Sequence, residues 1–145
     1  MTPDTPRFTV RPADWPRDAA AVRTVRQAVF VVEQKVPPEL EWDGNDAQCM
    51  HVLAEVDGVP VGTGRLLPDG HIGRMAVLRP WRGQGVGSAM LAMLLELAQA
   101  RGHTQAILHS QSHALDFYMR AGFRVTGDEF IEAGIPHRRM LKTLD

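Results

Sequence analysis

Met75-Ala76-Val77-Leu78-Arg79-Pro80-Trp81-Arg82-Gly83-Gln84-Gly85-Val86-Gly87-Ser88 joins an apolar run, a turn built on Pro80, and three glycines that open a helical pattern. Glycines lack a Cβ, so the backbone folds closely and aims successive N–H groups inward, while a helix starting there adds unpaired donors and the positive end of its dipole. Such a turn suits a diphosphate, and Arg82 can add a charge-assisted hydrogen bond to the same anion. A P-loop is excluded because it needs Gly-x-x-x-x-Gly-Lys-Ser/Thr and no lysine lies near this turn. A Rossmann dinucleotide site is excluded because it follows the first strand of a parallel βαβ unit, whereas this loop follows hairpin-linked strands.

The hairpins are read just upstream. Asp57-Gly58 and Asp69-Gly70 are strong turn signals between three strand-like runs, His51 to Val56, Val59 to Leu67 and His71 to Leu78. Downstream, Met90, Leu91, Leu94, Leu95 and Ala98 recur at helical spacing from Gly85 to Arg101, with Gly102 as the stop. Gln105 to Leu108 reads as a strand, Ala114 to Ala121 as a short helix, and Phe123 to Gly127 and Arg138 to Leu144 as closing strands. Near the start, Phe8 to Arg11 reads as a strand and Asp14 as the cap of a helix to about Glu33, with Val22, Val25, Val29 and Val32 on its buried face. Val36 to Ala47 carries Pro37-Pro38, Asp43-Gly44 and several acids, and reads as an irregular, solvent-exposed connection bordering a site. The predicted class is therefore mixed α/β, with one sheet of about six to seven strands covered on both faces.

Composition narrows the functions. A chain of 145 residues, 44% hydrophobic, fits a single domain over residues 1–145. Sixteen basic against seventeen acidic residues give a formal charge of -1, which argues against a nucleic-acid partner. Cys49 is the only cysteine, compatible with a reducing cytoplasm and incompatible with a CxxC metal pattern. Met1 to Arg7 has no leader-like apolar core and no run is long enough to cross a bilayer, so no membrane partner is expected.

The ordered elements resemble the GNAT superfamily of N-acetyltransferases, whose motif Arg/Gln-x-x-Gly-x-Gly/Ala is met by Arg82, Gly85 and Gly87. The resemblance extends to Met75-Ala76-Val77, to Ala114, to Phe117-Tyr118 and to Ala121-Gly122-Phe123. Glu33-Gln34 and Ala133-Gly134-Ile135-Pro136-His137 further resemble a small bacterial branch whose acceptors are mostly unassigned. It implies a three-layer α/β/α acyl-CoA N-acyltransferase fold with acetyl-CoA as co-substrate and no metal. The donor residues it implies are Met75, Ala76, Val77, Arg82, Gly83, Gln84, Gly85, Val86, Gly87, Ser88, Gln111, Ala114 and Phe117.

Direct attack by an amine needs one proton removed from the ammonium and one delivered to the departing sulfur. Tyr118, the only tyrosine, is the expected acid by resemblance; its alternative is simple packing beside Phe117. The base is left open, because the strand His71 to Leu78 has no carboxylate where many members of the superfamily carry one. Glu33, His109, Glu41, Asp43 and Asp46 are eligible, as is a water chain, and the acids between Val36 and Ala47 could attract a cationic amine. Cys49 with His51 suggests a covalent acyl-cysteine route, which the resemblance disfavours. His109 and His113 lack a third zinc ligand. The expected activity is acetyl transfer to a primary amine of a small molecule or peptide, with a binding module that has lost turnover as the alternative and assembly as a homodimer left open.

Overall fold

A computed structural model describes residues 7–145; residues 1–6, which include most of the segment read as lacking a leader, lie outside the described residues. The chain runs β1 (Thr9–Pro12), α1 (Ala19–Arg26) with a π-helical continuation (Gln27–Glu33), α2 (Pro38–Glu41), β2 (Met50–Val56), β3 (Val59–Leu66), β4 (His71–Val77), α3 (Val86–Ala100), β5 (Gln105–Gln111), α4 (Leu115–Arg120), β6 (Arg124–Val125), β7 (Phe130–Glu132) and β8 (Ile135–Thr143). One eight-stranded sheet follows the order β1-β2-β3-β4-β5-β8-β6, with β7 added to β8. β7 is the strand beyond the six to seven expected.

Each hairpin forms where turn chemistry allows it. Asp57 and Gly58 both take positive φ, 51° and 78°, the backbone a two-residue hairpin requires. Ala133 and Gly134 do the same at 52° and 75°, closing the short β7–β8 hairpin that alternation alone does not reveal.

The only parallel pairing among the described residues is β4 with β5, and it is brief. His71 aligns with Ile107 and Ile72 with Leu108, after which the strands separate. β4 stays on β3 as far as Val77, and β5 stays on β8 as far as Gln111, so the sheet opens as a wedge. α3 covers one face, with Met90 and Leu94 against Gly62 and Gly64 of β3, and α1 with its continuation covers the other. β4 alternates between these layers, Met75 and Val77 packing toward the α3 core and Ala76 joining Val25, Val29, Phe30 and Val36.

The first helix departs from its expected face. Val22, Val25 and Val29 are buried, but Val32 is 58% exposed and Phe30 is buried in its place. From Gln27 the bonds run five residues back, as from the Gln34 amide to the Val29 carbonyl at 3.0 Å, so each residue turns less about the axis than in an α-helix. That register turns Phe30 toward the wedge.

The segment 36–48 is also corrected. It contains α2 and a single turn of tighter helix at Asp46–Gln48, and Val36, Glu41 and Asp46 are buried rather than solvated. Three arginines from distant elements neutralise three of its four acids, Glu41, Asp43 and Asp46. Arg26, wholly buried, donates to Glu41 at 2.7 Å, Asp46 at 2.6 Å and the Glu41 carbonyl at 2.9 Å, and lies over the Trp42 ring. Arg65 holds Asp43 and Asp46, and Arg74 approaches Glu41 and Asp43. A charge-balanced lock is not a lure for cationic amines.

Candidate active site

At the mouth of the wedge the backbone turns through Arg79–Trp81, passes Gly83 (φ 76°), and enters α3 at Gly85 (φ 87°). An added Cβ at either glycine would meet nothing within 4 Å, so the requirement is the left-handed backbone itself. Gly87 differs, since a Cβ there would stand 3.3 Å from the Phe117 ring. No side chain caps the amino end of α3, and the first turn's amides are directed by the helix toward a cavity of about 790 Å³. Met75, Ala76, Val77, Arg82, Gly83, Gly85, Val86, Gly87, Ser88, Gln111, Ala114 and Phe117 all border that cavity. Gln84 does not; its amide turns back to the Pro80 carbonyl at 3.1 Å.

Backbone groups alternate along a strand. Leu78 donates to Val61 on β3, so the neighbouring groups of Val77 point into the wedge, where the Val77 carbonyl accepts Arg82 Nε at 2.8 Å. The rest of Arg82 is committed: Nη1 and Nη2 each donate to Glu33 at 2.7 Å. That bidentate bond holds the Glu33 carboxyl down at about 2, with Arg79 adding to it. Glu33 therefore borders this first cavity as the anchor of the glycine loop, and its ionised carboxylate has low affinity for a proton.

A second cavity, of about 520 Å³, lies on the other side of the wedge, bounded by the 36–43 segment, the start of β4, the middle of β5 and the β7–β8 hairpin. Phe30, Met75, Gln111, Tyr118 and Ile135 border both cavities. The Tyr118 ring sits edge-on between Phe117 and Phe123, and burial raises its phenol to about 12, so it carries its proton at neutral pH. His109 faces the second cavity, with Nδ1 3.2 Å from Glu132 and its ring edge-on to His71 and Phe130. Gln111 bridges its neighbours on both sides, donating from Nε2 to Gln34 Oε1 at 2.8 Å and accepting at Oε1 from His113 Nε2 at 2.6 Å.

Cys49 takes no part. It is buried, its thiol donates to the Asn45 carbonyl at 3.2 Å, burial pushes its pKa up, and it borders neither cavity. His51 is likewise occupied, stacked on Trp15 and bonded to the Asp46 carbonyl.

A family model described as Acetyltransferase (GNAT) domain matches residues 18–144. The chain belongs to the GNAT acetyltransferase family. As a GNAT protein it is an acyltransferase, and members of the family bind acyl-CoA. The Bacillus subtilis protein YjcF, described as an uncharacterized N-acetyltransferase, is 39% identical over 122 residues, covering 81% of this chain and 87% of YjcF. An acyl-CoA N-acyltransferase from Pseudomonas aeruginosa is 30% identical with a TM-score of 0.81, covering 96% of this chain and 100% of that one. Escherichia coli ElaA has a TM-score of 0.82 at 28% identity, covering 94% and 99%. No helix among the described residues is long and apolar enough to cross a membrane.

Sequence reasoning passed over Phe30, Arg65, Arg74 and Glu132 on the walls of this GNAT site. No local pattern marks Phe30 or the arginines, because the partners that give them a role are far away in the chain. Glu132 becomes visible only once the Ala133-Gly134 turn is recognised as a hairpin that folds it over His109.

Proposed function

We propose that this single-domain protein transfers the acetyl group of acetyl-CoA to a primary amine of a small molecule or peptide, in a ternary complex and within the cytoplasm. The observation that carries this reading is the meeting of two cavities at Tyr118, one bordered by the open end of α3 and the other by polar groups. The donor's phosphates would take the amides of Gly83 to Ser88, and its pantetheine arm would run along Met75, Ala76 and Val77 beside Gln111, Ala114 and Phe117. The amine nitrogen attacks the thioester carbonyl carbon from the second cavity. The carbon–sulfur bond then breaks with its electron pair on sulfur, and Tyr118 returns a proton to that sulfur. The place of Tyr118 on the wall shared by both cavities supports the assignment.

For the proton lost by the ammonium, His109 is favoured over Glu33. His109 lies on the acceptor side with a carboxylate behind it, while Glu33 lies on the donor side and is held ionised by Arg82. The lone buried cysteine supports direct transfer rather than an acyl-enzyme. The test is thiol release from acetyl-CoA across an amine library, with calorimetry of CoA binding alongside. Acetylated product identified by mass spectrometry is the expected result; CoA binding with no product from any amine would replace the enzyme with a binding module, and no CoA binding would refute the donor site.

A further inference from the structure

The lock of three arginines and three acids is balanced in charge but not in hydrogen bonds. Arg26 and Arg65 take the short contacts to Glu41, Asp43 and Asp46. Arg74 gets the remainder: its Nη2 reaches only the Leu40 carbonyl at 3.2 Å, the Glu41 carbonyl at 3.4 Å and Asp43 at 3.4 Å, oxygens that mostly serve others. Its Nε stands 3.4 Å from Glu41 but at an angle that makes no bond, leaving a buried donor without a partner. Among the described residues its Nη1 has no acceptor either. A planar guanidinium with unused donors, on the wall of the second cavity, is a ready fork for a carboxylate.

The backbone places it there at a cost. Arg74 is a non-glycine residue at φ 50°, within a bulge where three steps of β4, Gly73 to Ala76, oppose two steps of β3, Arg65 to Thr63. Regular pairing would send this side chain elsewhere. Strained residues of this kind persist where surrounding structure holds them, and they gather at functional sites. Its neighbour in β4, Met75, borders both cavities, so Arg74 stands on the stretch of wall that adjoins the place where they meet. Resting on the transfer reading above, we propose that Arg74 receives a carboxylate of the acceptor, so that the amine acetylated here also bears an acid group, as an amino acid does.

The experiment compares matched acceptors in the thiol-release assay: phenylalanine with phenethylamine, lysine with cadaverine, histidine with histamine. The acid-bearing member of at least one pair is expected to exceed its decarboxylated partner by about tenfold or more in kcat/KM, mainly through KM. Arg74→Gln, checked for an unchanged melting profile, should shrink that ratio to about threefold or less, and Arg74→Lys should retain part of it. Decarboxylated partners used as well as their acids in every pair would overturn the proposal with no variant needed, and so would an Arg74→Gln loss shared equally by both members. If acetyl-CoA binds but neither these pairs nor any amine of the library yields product, the transfer reading fails. Arg74 is then judged by calorimetry of the same compounds into CoA-saturated protein, where no preference for the acids overturns it.

Discussion

Replacing Arg26 by Met removes a fully buried guanidinium while keeping most of its volume. The change leaves Glu41, whose side chain is 3% exposed, and Asp46, 10% exposed, without their shortest ion pairs at 2.7 and 2.6 Å, and takes the cation from above the Trp42 ring. Breaking one side of a buried pair costs about 3–5 kcal/mol, because the surviving charge stays desolvated. Here Arg65 and Arg74 still touch the same acids, so the lower end, about 3 kcal/mol, is expected. For a chain of this size that corresponds to a melting temperature lower by roughly 6–12 °C. Adding Glu41→Gln to Arg26→Met removes one orphaned charge and should restore about 1–2 kcal/mol, although alone it should destabilise. Urea unfolding of the four proteins measures this cycle. A cost below about 1 kcal/mol for Arg26→Met, or a double variant as unstable as the sum of the singles, would refute the account of the lock. Since the lock walls the second cavity and not the donor cavity, CoA affinity should be unchanged in all four.

Tyr118→Phe removes a proton and not a ring, so thiol release should slow by about tenfold to a hundredfold while acetyl-CoA affinity stays within about twofold; equal rates would move the acid elsewhere. Because the phenol is held at about 12, the wild-type rate should not fall from its ionisation until pH rises toward that value, which a pH profile reads directly. In Gly87→Ala the new Cβ meets the Phe117 ring at 3.3 Å, costing about 1 kcal/mol, which the better helix propensity of alanine, about 1 kcal/mol, nearly offsets. The melting temperature should therefore barely move while CoA binding, measured by calorimetry, weakens about tenfold as Phe117 shifts into the donor cavity; unaltered CoA affinity would contradict the assignment. The Glu33 carboxyl is lowered by Arg82 from 4.5 to about 2 in the folded chain, so its contribution is complete above about 4.5 and disappears as pH falls through 2. Glu33→Gln should lose about 1 kcal/mol at neutral pH, discounted for solvent around the pair, and should flatten the stability curve between those two values. An unchanged acid slope in urea unfolding would rule the ion pair out as a stabilising contact.

The parts legible in the sequence were those whose physics is local. The glycine loop announces itself through residues a few positions apart, and Asp57-Gly58 specifies its hairpin without help from elsewhere. The parts that were not legible depend on distant partners. The acids between Val36 and Ala47 look like solvated surface until Arg26, Arg65 and Arg74 converge on them, and Val32 looks buried until the helix widens from Gln27 onward. Arg82 illustrates a middle case: its place at the loop follows from the motif, but its bond to Glu33, 49 residues away in the chain, assigns its guanidinium to holding the loop.

Beyond Ile72 and Leu108 nothing of the backbone ladder stitches β4 to β5. Mechanically the molecule is thus two leaves on a short spine, one carrying β1 to β4 and the other β5 to β8. A donor whose amide-bearing arm lies along Val77 would serve as a substitute rung between those leaves. Solvent protection of the amides flanking the spine should then rise on loading, making the substrate a temporary structural member of the protein that consumes it.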